Sequence, residues 1–181
     1  MPIQEPDEAQ AWLRIALIPG LGNATLRKLL AEFGGPEKLL TARQAELRKF
    51  AAADVAALIV GGGNIADAQV ALAWLRAPDN HIVTLGDADY PQLLLQTPDP
   101  PPLLYVKGRL NLLNRPSLAV VGSRNATAQG RANATAFARA LSDAGLTIVS
   151  GLALGIDAAA HRGGLDGAGG SYALVGTGLD V

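Results

Sequence analysis

The sequence predicts an α/β protein, an all-helical N-terminal part followed by a short parallel sheet. Three observations predict it. Residues 7–77 carry apolar positions at helical spacing, interrupted by glycine and proline. Three short apolar runs, SLAVV (117–121), LTIVS (146–150) and SYALV (171–175), read as buried parallel strands. Between them lie two Ala-rich segments that start directly after Gly/Ser turns, the pattern of strand–turn–helix units.

The helical part follows from its stop and start signals. Asp7 is placed to cap a helix with Trp12, Leu13, Ala16 and Leu17 on one face, ending before Pro19-Gly20. Asn23 is expected to cap ATLRKLLAEF, which Gly34-Gly35 stops. Thr41 with Gln44 reads as a capping box before ARQAELRKF. Gly61-Gly62-Gly63 is a break, and Asn64 starts IADAQVALAWLRA, closed by Pro78. A boundary is expected at 78–80, giving domains 1–79 and 80–181. From His81, HIVTL reads as a strand, GDADYP as a turn and LLYVKGRL as another strand and turn. TPDPPP (97–102) has four prolines in six residues, which excludes helix and central strand. Residues 81–115 are expected to lead onto the parallel sheet as an edge extension. Three parallel strands with two crossover helices leave apolar surface uncovered, so the sheet reads as truncated at its C-terminus, part of a longer protein.

Composition narrows the function classes. Half of the 181 residues are apolar (49%) and few are aromatic (4%), as in an Ala/Leu-rich α/β domain. Net charge is −1, so no global basic field announces a polyanion, and any such role must rest on a local site. The absence of cysteine excludes disulfides, thiolate zinc sites and a cysteine nucleophile, and two histidines argue against a metal centre. The start, MPIQEPDEAQAW, lacks the basic region of a signal peptide, and no apolar run reaches the roughly 18 residues of a membrane span. A soluble, cytoplasmic protein without cofactor is expected.

Two loops carry the chemistry. In GSRNATAQG, Gly122 permits a tight turn, Ser123 offers a hydroxyl, and Arg124 sets a guanidinium fork at the mouth. Thr127 sits where the N-cap or first turn of the next helix belongs. The helix start adds unpaired N–H donors and a positive dipole end, a ready anion site. The plainer alternative is that Gly122 and Ser123 merely turn the chain and Arg124 is solvated. In SGLALGIDAAAH, Ser150 and Gly151 end the strand, Gly151 and Gly155 bracket Leu152 and Ala153, and Asp157 can cap a helix carrying His161. Asp157 and His161, four apart, share one helix face and could hydrogen-bond as a base with its orienting carboxylate. They could equally be a cap and a packing histidine that hold the loop rigid. A capping Asp157 also argues against a second anion on that turn. Neither loop is a Walker A or G-x-G-x-x-G sequence, so neither ATP nor NAD follows. A phosphate-bearing ligand gripped by both loops is the expectation.

IALIPGLGNATLRKLLAEFGG (15–35) reads as a helix-hairpin-helix, with Leu21 plugging the turn between Gly20 and Gly22. Such hairpins grip DNA phosphates without reading sequence, and they also serve as packing or protein-contact elements.

AVVGSRNATAQG, TIVSGLALGIDAAAH and YALVGTGLDV, in this order and spacing, resemble the DNA-processing protein A (DprA, also called Smf) family. DADYPQLLLQTPDPPPLLYVKG and the hairpin-like start support the resemblance, which covers the whole chain. It implies a sterile-alpha-motif-like helical domain and a Rossmann-like domain, here incomplete. It implies a cytoplasmic, non-catalytic protein that binds and protects single-stranded DNA and loads RecA recombinase in natural transformation. The full-length protein would be a homodimer. Arg124 matches the family's DNA-contacting arginine, and Gly122, Ser123, Ser150 and Gly151 match its phosphate-facing loops. Asp157 and His161 match positions with a structural role. The alternative is a nucleotide or phosphoribosyl hydrolase on a similar fold, with His161 and Asp157 as its acid/base pair. The paired carboxylates expected of such an enzyme are missing from the glycine-rich loops.

Overall fold

The computed structural model describes residues 6–179; the opening residues 1–5, and Asp180 and Val181 of the GLDV segment, lie outside the described residues. The chain forms two compact units, Met1–Gly108 and Arg109–Val181.

The first unit holds α1 (Pro6–Ala16), α2 (Asn23–Phe33), α3 (Pro36–Leu40), α4 (Gln44–Leu47), α5 (Ala53–Val60) and α6 (Ile65–Leu75), then β1 (Asn80–Thr84) and β2 (Leu103–Lys107). Ile15 and Ile18 bury against Leu26, Leu29, Leu39, Leu47 and Ile59, and Leu21 plugs this core from the hairpin turn. Asn64 caps α6 as expected, its side chain accepting from Asp67 N–H. Three other caps differ. Asp7 lies inside the first turn of α1, and Gly22 is the N-cap of α2, which frees the Asn23 side chain. The Thr41 hydroxyl instead donates to the carbonyls of Glu37 and Lys38, closing α3. Among the described residues no single helix is long and apolar enough to cross a membrane.

Residues 80–108 do not extend the parallel sheet. β1 and β2 pair antiparallel with each other, Asn80 opposite Lys107 and Thr84 opposite Leu103. The reason is burial. Ile82 is wholly buried in a second core with Ala9, Trp12, Leu13 and Ala68, and Leu103 packs onto it. Trp74 and Tyr105 meet edge to face at 5.5 Å. The ribbon completes the helical unit, so the division falls after Gly108 rather than at 79–80.

In the second unit β3 (Ser117–Ala119), α7 (Ala128–Asp143), β4 (Thr147–Ser150), α8 (Ile156–Asp166) and β5 (Ser171–Ala173) alternate. The strands form a parallel sheet in the order β3-β4-β5, with Leu118 opposite Ile148 and Ile148 opposite Ser171. Only the central strand meets the expectation of full burial. β4 is buried at every residue, whereas β3 is exposed and β5 half-buried, because each is an outer strand with one neighbour.

Small residues let α7 and α8 approach closely. Ala134, Ala138, Ala159 and Ala160 are buried, and the Thr135 hydroxyl donates to the Ala159 carbonyl at 3.1 Å. A Cβ at Gly163 would collide with the Thr135 carbonyl. Ser142, fully buried near the end of α7, donates to the Gly164 carbonyl at 2.7 Å and accepts from the N–H groups of Gly169 and Gly170. Both helices are thereby fixed at their far ends, and both begin at the carboxyl ends of the strands.

Candidate functional site

The first mouth is built where β3 hands over to α7. A Cβ on Gly122 would lie 2.7 Å from Ile156 Cγ1, so only glycine lets this loop rest against the start of α8. The Ser123 hydroxyl accepts the Asn125 N–H at 3.1 Å and tightens the turn. Thr127 is the N-cap of α7, its hydroxyl accepting the Gly130 N–H at 3.0 Å. Arg131 Nη1 donates to the Ala126 carbonyl at 2.5 Å and braces the loop from one turn into the helix. Among the described residues, the N–H groups of Ala128 and Gln129 meet no acceptor and Arg124 has no hydrogen bond or ion pair. Arg124 is exposed, and the first turn of α7 holds no acidic residue. Free amides and a positive helix end are thus exposed at a cap three residues after an unpaired guanidinium.

The second loop is spent internally. The Ser150 hydroxyl donates to the Val120 carbonyl at 2.7 Å and is buried, so it ties β4 to β3 and does not face outward. Asp157 is not the cap of α8: that residue is Gly155, and Asp157 lies in the first turn. Its buried carboxylate reaches back and accepts from the N–H groups of Gly151 (3.1 Å) and Ala153 (3.4 Å). A carboxylate of the chain thus fills the place expected for a second phosphate. Gly155 has φ +84° and lies where a Cβ would strike the carbonyl oxygens of Ser123 and Arg124. Next to it, the Ile156 N–H donates to the Ser123 carbonyl at 3.1 Å, locking the two loops together. Leu152, at φ +58°, holds a left-handed conformation that costs a non-glycine residue about 1 kcal/mol. It is nonetheless exposed, as is Leu154.

His161 is buried and bonds through Nδ1 to the Ser171 hydroxyl at 2.7 Å, not to Asp157. Ser171 donates its own proton to the Ile148 carbonyl at 2.8 Å, so Nδ1 carries the histidine proton. Nε2 is then a bare acceptor, buried without a partner among the described residues. The acid/base pair of the hydrolase alternative is not assembled. Ser171 and Arg131, which the sequence reading missed, complete this arrangement. Arg131 had a signal, a cation one turn after the Thr127 cap; Ser171 had none, because the β4–β5 register decides its place.

Burial lowers the His161 pKa, opposed by the nearby Asp157 charge. A depressed histidine pKa means that the unfolded chain binds the proton more readily, so stability rises with pH across that window. Tm should therefore fall as pH drops below about 6.5, the unfolded-state value. The dependence should weaken in His161→Gln, as read by thermal melts between neutral and mildly acidic pH.

The first unit contains a concavity lined by Asp7, Glu8, Glu37 and Asp87 with Lys38. Its acid-rich wall repels polyanions and makes it the poorer phosphate site.

Comparison with known proteins identifies the family and the fold. The family model described as DNA recombination-mediator protein A matches residues 81–181, beginning at the residue where the sequence pattern changes. Protein Smf of Synechocystis sp. is 35% identical over 96% of this chain and 45% of its own length. DNA processing protein DprA of Streptococcus pneumoniae is 43% identical over 65% of this chain and 40% of its own. The X-ray structure of DNA processing protein A from Streptococcus pneumoniae superposes with a TM-score of 0.73 and 31% identity, covering 100% of this chain and 60% of that one. The chain spans less than half the length of those two curated relatives. Neither the family description nor these names state a catalytic activity. Motifs, fold and sequence likeness agree that the chain belongs to the DNA recombination-mediator protein A (DprA/Smf) family.

Proposed function

We propose that this chain carries the strand-gripping site of a protein that binds and protects single-stranded DNA. Within the whole protein, a cytoplasmic homodimer, the bound strand is handed to RecA recombinase during natural transformation. The reading needs no cofactor and no catalytic residue. One observation carries it: among the described residues, the first turn of α7 presents unpaired N–H groups and no acid, and the exposed Arg124 three residues before its cap is unpartnered. Backbone amides and a guanidinium neutralise successive phosphates, while the second loop, fixed by Asp157, backs the mouth. No aromatic residue lies in either loop, so phosphate contacts outweigh base stacking. Gly122, Ser123, Arg124 and Thr127 form the contact; Ser150, Gly151, Leu152, Ala153, Gly155, Asp157 and His161 support it.

Fluorescence anisotropy with a labelled single-stranded oligonucleotide tests this. The logarithm of affinity should fall linearly with the logarithm of salt concentration, by about 0.7 for each phosphate neutralised. Binding that ignores salt would overturn the reading. Release of free base from nucleoside monophosphates would instead support the hydrolase.

A further inference from the structure

The hairpin of the first unit, Pro19–Gly22, leads into α2 as phosphate-gripping hairpins do, yet side chains in the first two turns of that helix already hold a carboxylate of the same chain. Asp99, in the proline-rich segment 97–102, pairs with Arg27 Nη2 at 2.7 Å, and Asn23 Nδ2 donates to its other oxygen at 3.4 Å. Asn23 and Arg27 stand four residues apart on one face of α2. Arg27 Nη1 also donates to the Pro100 carbonyl at 2.5 Å, so the hairpin's cation is engaged on two sides. The next two carbonyls are held as well. Pro101 accepts from the hydroxyl of the fully buried Tyr90 at 2.8 Å, and Pro102 from the Leu85 N–H at 3.1 Å. Prolines offer no N–H and have few conformations to lose, so this segment needs acceptor-side anchors and has three in a row.

We propose that segment 97–102 is a strap latched by Asp99 onto Asn23 and Arg27. The latch closes the hairpin with the protein's own anion and excludes it from nucleic-acid contact. The hairpin then ties the helical bundle to the β1–β2 ribbon, and strand binding is left to the second unit. That last step rests on the α7 mouth being the strand-binding site; the latch itself does not.

Amide hydrogen exchange at Leu85, whose N–H is held by the strap, reads the latch directly. Protection should fall by about tenfold in Arg27→Met and about threefold in Asp99→Asn, as the local opening becomes easier. Should Arg27→Met fail to fold, Asp99→Asn, at an exposed carboxylate, still gives the measurement. Anisotropy with a labelled single-stranded oligonucleotide should change by less than about twofold in both variants, since neither charge meets a phosphate. Unaltered Leu85 protection in both would refute the latch. A hairpin that contacts DNA would show itself differently: Asp99→Asn would tighten binding, or Arg27→Met would weaken it, by about threefold or more.

Discussion

Arg124→Ala is expected to weaken single-stranded DNA binding by about tenfold to a hundredfold, the worth of a charge-assisted hydrogen bond of roughly 1.5–3 kcal/mol. The salt slope should shrink by about 0.7 in the same titration, because one phosphate loses its cation. Thermal stability should not change, since Arg124 makes no hydrogen bond or ion pair among the described residues and is exposed. That pairing of lost affinity with an unmoved Tm separates a contact residue from a structural one. Arg124→Lys should recover the slope more fully than the affinity, because an ammonium restores the charge without the planar fork. Equal binding by wild type and Arg124→Ala would remove this residue from the site.

Asp157→Ala should act in the opposite way, on the fold first. It removes a buried carboxylate and leaves the Gly151 and Ala153 N–H groups without their acceptor. Such a loss costs about 2–4 kcal/mol, which for a domain of this class lowers Tm by roughly 5–12 °C. Asp157→Asn keeps an acceptor oxygen in the same place and should recover much of the loss. Binding should suffer less than in Arg124→Ala, provided the comparison is made well below the melting transition. If Asp157→Ala melted like the wild type, the carboxylate would not be what fixes the loop.

The legible parts of this molecule are those set by neighbours in sequence. The run LAVV followed by Gly122 signals a strand and turn, and Thr127 a helix start; Thr127 caps α7 as expected, and the strand is present but ends at Ala119, two residues short. The parts decided by distant partners were not legible. Choosing between Gly155 and Asp157 as the cap depended on the carbonyls of Ser123 and Arg124, which press Gly155 into its left-handed conformation. The β1–β2 ribbon looked like an edge of the parallel sheet because its strands are short and apolar. Only the burial of Ile82 beside Trp12 shows where it belongs. Asn23 read as a cap because nothing in its surroundings foretold Asp99, 76 residues away.

The fastening of Gly155 and Ile156 onto the Ser123 carbonyl has a kinetic corollary. A mouth already set in its working shape asks for little reorganisation when a strand arrives, so encounter and not rearrangement should govern the association rate. Stopped-flow traces should then show one phase whose rate constant climbs in proportion to oligonucleotide concentration, with no plateau.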